Sequence, residues 1–139
     1  MTDIDLVLMS RDHGTVDAVA EQAVRAETRG FSHVTMGETT GWNIVPVLTV
    51  IAERTEDIGL TDDVLSPYAR APTVYGQTAL TTHDITDGRF RLSLGTSSPA
   101  IAARWHASEL DRPLRRPLET IDVVRAVSTG DDVPYDGEF

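Results

Sequence analysis

The sequence contains no cysteine and no lysine. Without cysteine the chain can form neither a disulfide nor a thiolate metal site, and it has no thiol nucleophile. Without lysine, all 12 basic residues are arginines, set against 22 acids, for a formal net charge of -10. Such a balance repels nucleic acid and anionic lipid, so neither is expected as a partner. An acidic surplus without lysine suits a protein of a salt-rich cytoplasm, a halophile, where carboxylates keep the surface hydrated; Arg-biased codons in a GC-rich genome are the alternative. No stretch approaches the roughly 18 uncharged apolar residues of a membrane span. The opening segment MTDIDLVLMSRDHG carries acids where a secretion signal needs a basic flank, and a cytoplasmic location is expected.

Also lacking are the Gly-rich dinucleotide fingerprint, which the first strand-to-helix turn SRDHGT does not contain, and any phosphate-binding loop of the Walker type. His13, His33, His83 and His106 stand far apart without metal-ligand spacing, so no metal site is expected. Ser97 and Ser98 lack a nucleophile elbow and a plausible base, which argues against a serine hydrolase.

What is present is one domain's worth of chain, 139 residues with 40% apolar side chains. Ile4 to Ser10 is a short apolar run that reads as a strand buried on both faces. Val16, Val19, Ala20, Ala23 and Val24 then recur at helical spacing up to a stop at Gly30. Phe31 to Gly37 reads as a second strand. Asn43 can cap a helix with apolar Val47, Leu48, Val50, Ile51 and Ala52. DIGLTDDVLS gives a third strand ending near Ser66, Thr73 to Thr86 a third helix, and GRFRLSLG an alternating fourth strand. Leu118, Ile121, Val123, Val124 and Val127 mark a last helix stopped by Gly130. Four alternations of strand and helix predict α/β architecture with a parallel sheet, closed either as an open doubly wound sheet or as part of an eight-stranded barrel.

The segments AETRGFSHVTMGET, AERTEDIGL, VLSPYARAPTVYGQTALTTHDITDGRFRLSLGTSSPAIAARWH, RPLRRPLETIDVVRAV and VPYDGEF follow in an order and spacing that resembles the luciferase-like monooxygenase superfamily. The likeness is greatest to its deazaflavin branch, the methylenetetrahydromethanopterin reductase-like oxidoreductases dependent on coenzyme F420. It implies a TIM-type (β/α)8 barrel, of which residues 1–139 match the first half, about four βα units, with the C-terminal half absent. Such a half presents open sheet edges, so pairing with itself or with a complementary C-terminal half is expected. The coenzyme implied is F420, or FMN as in the monooxygenase branch. The reaction implied is hydride transfer between that coenzyme and a small organic substrate, and a non-catalytic half-barrel acting as an interaction subunit is the alternative.

In a barrel the four strand ends converge on one mouth, which makes Met9 and Ser10, Glu38 and Thr39, Asp63 to Ser66, and Thr96 to Ser98 the candidate rim. Glu38 stands where deazaflavin relatives place an acidic or polar residue against the ring, and is the candidate catalytic group, with capping of the next helix as its structural alternative. Val64, Ser66, Gly95, Thr96 and Ser97 are the candidate coenzyme contacts. The resemblance also implies a cis peptide before Val64. Asp62 and Asp63 depart from the family's small residues there, and a carboxylate pair facing a reduced deazaflavin would repel it. Thr39 and Ser98 stand where related sugar-phosphate dehydrogenases place a catalytic His and Glu, which argues against that substrate class. His106, after Trp105, is read as structural or substrate-lining. Arg112, Arg115 and Arg116 are read as partners for nearby acids.

Overall fold

A computed structural model of the chain describes residues 4–9, 14–132 and 136–139; Ser10 and His13 lie outside the described residues. The elements run β1 (Asp5–Leu8), α1 (Val16–Thr28), β2 (His33–Met36), α2 (Ile44–Ala52), β3 (Gly59–Asp62), α3 (Pro72–Ile85), β4 (Phe90–Arg91), α4 (Pro99–His106) and α5 (Arg115–Thr129). The four strands are all parallel and lie in sequence order.

The chain divides into two compact units. One holds residues 1–64 and 81–93, and therefore the whole sheet; the other holds 65–80 and 94–139. In the first unit the register aligns rows of side chains across the sheet. Leu6, Val34, Leu60 and Phe90 form one row and Leu8, Met36 and Asp62 the next on the same face. Leu8, Val34, Met36 and Leu60 are fully buried with Val19, Ala20 and Ala23 of α1 and Leu48 and Ile51 of α2. The alternate face carries Asp5, His33 and Gly59, then Val7, Thr35, Thr61 and Arg91. A Cβ on Gly59 would lie 2.1 Å from the His33 ring, so a larger residue there requires that ring to move; the ring also hydrogen-bonds Asp5 Oδ1 at 3.2 Å.

Three expectations change. β1 is not buried on both faces: among the described residues it pairs with β2 alone, and Val7 is 53% exposed. The fourth strand is shorter than GRFRLSLG, because the Ser93 N–H goes to the Asp62 carboxylate at 2.9 Å and not to a strand carbonyl. The region after it contains α4, an added helix whose N-cap is Ser98, followed by Pro99 in the first helical position. Asn43 caps α2 and Gly130, at φ 73°, ends α5, as their residue types require.

Candidate functional site

In the first unit the ends of β2 and β3 are drawn together. The Asp63 N–H donates to Met36 O at 2.7 Å. Gly37 follows Met36, and a Cβ on it would lie 2.7 Å from the Asp63 carbonyl oxygen, so no larger residue fits without displacing backbone. The peptide between Asp63 and Val64 is cis, and Val64 is 38% exposed.

The two acids of this turn part company. Asp62 is completely buried on the face it shares with Leu60 and Met36, and accepts the Ser93 N–H. It fastens β3 to the end of β4, so the expected carboxylate pair facing a coenzyme reduces to Asp63 alone, which is exposed. Strand alternation turns one side chain of any adjacent pair away from the other.

Glu38 is half-buried, and its Oε2 accepts the Ile44 N–H at 3.1 Å. With Asn43 accepting from Val45 at 3.2 Å, it satisfies two of the orphan donors that open α2. The carboxylate is thereby held at the N-terminus of α2. Thr39 is exposed. Thr35 was not anticipated: its Oγ1 is buried with no hydrogen-bond partner among the described residues, three positions before Glu38 and on the row with Val7 and Thr61. Nothing in HVTM distinguishes it from an ordinary strand threonine.

Behind β3, the loop joining it to α2 is gripped from two sides. Glu27 Oε1 accepts three successive backbone N–H groups, from Glu56, Asp57 and Ile58, at 2.9, 2.7 and 2.9 Å. Burial pushes its pKa up, but these three donors and the Arg89 charge outweigh that and hold it below the ordinary value. Arg89, within DGRF, directs both Nη groups at the same loop and the end of α2, Nη1 to Thr55 Oγ1 and Ile58 O and Nη2 to Ala52 O and Thr55 O, while its Nε donates to Thr86 O, just after α3, at 2.9 Å. An anion holds the loop's N–H groups and a cation its carbonyls, and β3 begins one residue later, at Gly59.

In the second unit Leu65 and Leu94 form a parallel bridge, and the Gly95 N–H donates to Leu65 O at 3.0 Å. Ser66 is buried; its Oγ accepts from the Tyr68 N–H at 3.3 Å, and its carbonyl takes the Tyr75 hydroxyl. Gly95 and Ser97 are half-buried and Thr96 is exposed. Ser97 adopts a left-handed φ of 64°, and Ser98 Oγ accepts from the Ile101 N–H at 3.3 Å, which commits it to opening α4. Trp105 is exposed, and the His106 carbonyl accepts the Ser108 hydroxyl. The arginines serve the pairing role expected: Arg112 and Arg115 both bind Glu138, and Arg115 also binds Glu119. Arg116 adds stacking, 4.4 Å over the Tyr68 ring and 5.2 Å over Phe139.

Glu38 and Val64 thus belong to one unit, and Ser66, Gly95, Thr96 and Ser97 to the other. Among the described residues no cluster of His, Asp or Glu could hold a metal ion, and no helix is long and apolar enough to cross a membrane.

Comparison with known proteins bears on what such an arrangement does. The sequence profile described as luciferase-like monooxygenase matches residues 4–139. Over 108 residues the chain is 34% identical to the candidate coenzyme F420-dependent oxidoreductase Rv3520c of Mycobacterium tuberculosis, covering 78% of this chain and 31% of that one. Over 119 residues it is 29% identical to the 5,10-methylenetetrahydromethanopterin reductase of Archaeoglobus fulgidus, covering 82% of this chain and 34% of the reductase. The crystal structure of the monooxygenase RslO1 from Streptomyces bottropensis superposes with a TM-score of 0.84 at 20% identity, over 99% of this chain and 46% of that one. The parallel strand order is that of the first four units of the TIM-type barrel these enzymes share. The chain spans about a third of the length of the curated relatives it matches.

Proposed function

The chain belongs to the luciferase-like monooxygenase family, and on that premise we propose that it forms the N-terminal, coenzyme-contacting part of an F420-dependent oxidoreductase. The observation supporting the deazaflavin over FMN is the 34% identity to Rv3520c, whose own name carries coenzyme F420. The proposed reaction moves a hydride between coenzyme and a small organic substrate, chemistry that the coenzyme supplies when bound. Complete activity would also draw on the other two thirds of the relatives' length.

The residues present fit such a group. In the first unit the burial of Asp62 removes one of the two charges that would repel a reduced ring, Val64 offers exposed apolar surface, and Thr35 has an unmet hydrogen-bonding capacity. In the second, Ser66, Gly95, Thr96 and Ser97 are small and uncharged, so they can approach a flat neutral ring without desolvating a charge. Glu38, fixed by the Ile44 N–H, is the group able to hold or move a proton beside the substrate. With Thr39 in place of the dehydrogenases' His, and Ser98 already occupied as a helix cap, sugar-phosphate oxidation is not the reaction proposed.

Titrating purified protein separately with oxidised F420 and FMN, alone and with a C-terminal half taken from a relative, tests this reading. Saturable quenching of F420 fluorescence without FMN binding is expected. Binding of FMN alone would move the protein to the monooxygenase branch, and binding of neither in any combination would leave a non-catalytic interaction subunit. In an active assembly, Glu38→Gln should keep coenzyme affinity, since an amide oxygen can still accept from Ile44, and lower kcat by about 10² to 10⁴.

A further inference from the structure

The rim residues of the second unit are held by a series of contacts that begins on α5. Arg115 and Arg116 open that helix, and its first turn holds no acid. Positive charge is disfavoured at a helix N-terminus, so each cation there needs another partner. Arg115 takes Glu119 and Glu138. Arg116 takes aromatic faces, with its guanidinium 4.4 Å from the centre of the Tyr68 ring and 5.2 Å from that of Phe139.

Tyr68 is buried, and its hydroxyl has no hydrogen-bond partner among the described residues, so packing and the cation on its face fix the ring. Its backbone is part of a turn. The Ala69 N–H donates to Ser66 O at 3.0 Å, with Pro67 in the second position, where a fixed φ suits the bend. Inside that turn the Tyr68 N–H donates to Ser66 Oγ at 3.3 Å, and the Tyr75 hydroxyl anchors the Ser66 carbonyl from α3. Ser66 Oγ thus accepts from Tyr68 and keeps its own hydrogen to donate. Leu65, one residue earlier, bridges Leu94 and accepts the Gly95 N–H, so the turn starts beside the Gly95–Ser97 segment.

We infer that Arg116 is a positioning residue for the coenzyme site: it holds the Tyr68 ring, the Tyr68 N–H holds Ser66 Oγ, and the Ser66 hydroxyl hydrogen is thereby directed to an acceptor on the coenzyme ring. The inference rests on the proposed function and adds to it the residue through which α5 acts. Every link is a contact made within the second unit. Stacking suits the task, because a planar guanidinium constrains the ring it covers without drawing a hydrogen bond away from the turn.

Fluorescence titration of the full chain with oxidised F420, in the combination that binds it, reads the coupling. Ser66→Ala should weaken binding about tenfold, the equivalent of one hydrogen bond. Arg116→Ala should weaken it about fivefold, and Arg116→Lys, which returns a cation to the ring, should recover most of that loss. The double variant should bind no more weakly than Ser66→Ala alone, because Arg116 acts through Ser66. In coenzyme-free protein, the Tyr68 amide should exchange its hydrogen about threefold or more faster in Arg116→Ala than in wild type, and at the wild-type rate in Arg116→Lys. Circular dichroism checks that each variant folds, and Arg116→Gln, uncharged and of similar reach, repeats the comparison if the alanine variant does not. Losses that multiply in the double variant, wild-type affinity in Arg116→Ala, or unchanged Tyr68 exchange would each overturn this inference alone. Failure of the wild-type chain to bind F420 in any combination overturns the proposed function and this inference with it.

Discussion

Replacing Arg89 with alanine tests the most densely bonded side chain described here. Its guanidinium uses all five donors, on Thr86 O, Thr55 Oγ1, Ile58 O, Ala52 O and Thr55 O. One of these carbonyls, Ala52, is the last of α2, where carbonyls have no partner within the helix and a cation is favoured, and Thr55 lies in the loop just beyond. A hydrogen bond to a charged group contributes roughly 1.5 to 3 kcal/mol, but the five share one charge, and the half-buried site would admit water to the stranded carbonyls. A loss of about 3 kcal/mol for Arg89→Ala is therefore expected. Arg89→Lys keeps the charge at the helix end but has only three donors and no planar fork, and should lose about 2 kcal/mol. Urea unfolding, with the midpoint shift multiplied by the mean m value, gives both numbers. Hydrogen exchange should localise the loss to residues 53–58 and the start of β3. If Arg89→Ala changed stability by less than about 1 kcal/mol, the grip on this loop would be a crystal-like pairing without energetic weight, and the account of how β3 is positioned would be wrong.

Glu27 grips the same loop and makes stability depend on pH. Its folded pKa is depressed below the ordinary 4.5, so its contribution is complete above that value and is lost as pH falls through the lower, folded one. Acid titration of wild type against Glu27→Gln should show the two curves fully separated above pH about 4.5 and converging as pH falls below it; curves that stay equally spaced through this acid range would refute the assignment. Gly37→Ala places a Cβ 2.7 Å from Asp63 O and should cost about 1 to 3 kcal/mol in thermal or urea unfolding, because backbone, not a flexible side chain, must yield. A neutral substitution there would mean that the β2 and β3 ends are not in contact.

Much of the architecture was legible in one dimension because it follows from short-range physics. Strand and helix alternate four times; Asn43 and Gly130 punctuate helices where their side-chain and φ preferences demand it. α4 was legible too, in Ser98–Pro99, and was obscured by reading the small hydroxyls only as a rim. The family likeness carried the candidate residues Glu38, Val64, Ser66, Gly95, Thr96 and Ser97, and the cis peptide before Val64 stands where the likeness put it.

Long-range pairings were not legible. Asp62 and Asp63 are neighbours of identical chemistry, yet one is sealed under β4 and the other meets solvent, which only strand register decides. Glu27 and Arg89 lie 62 positions apart and share no periodicity, but one loop's donors and acceptors bring them to the same turn. The sequence by itself determined the order of elements, the acidic surface and the identity of the residues at each strand end, since these depend on neighbours along the chain. Which carboxylates are structural and which glycines bear a close contact were decided by tertiary packing, because each depends on what a remote segment places opposite.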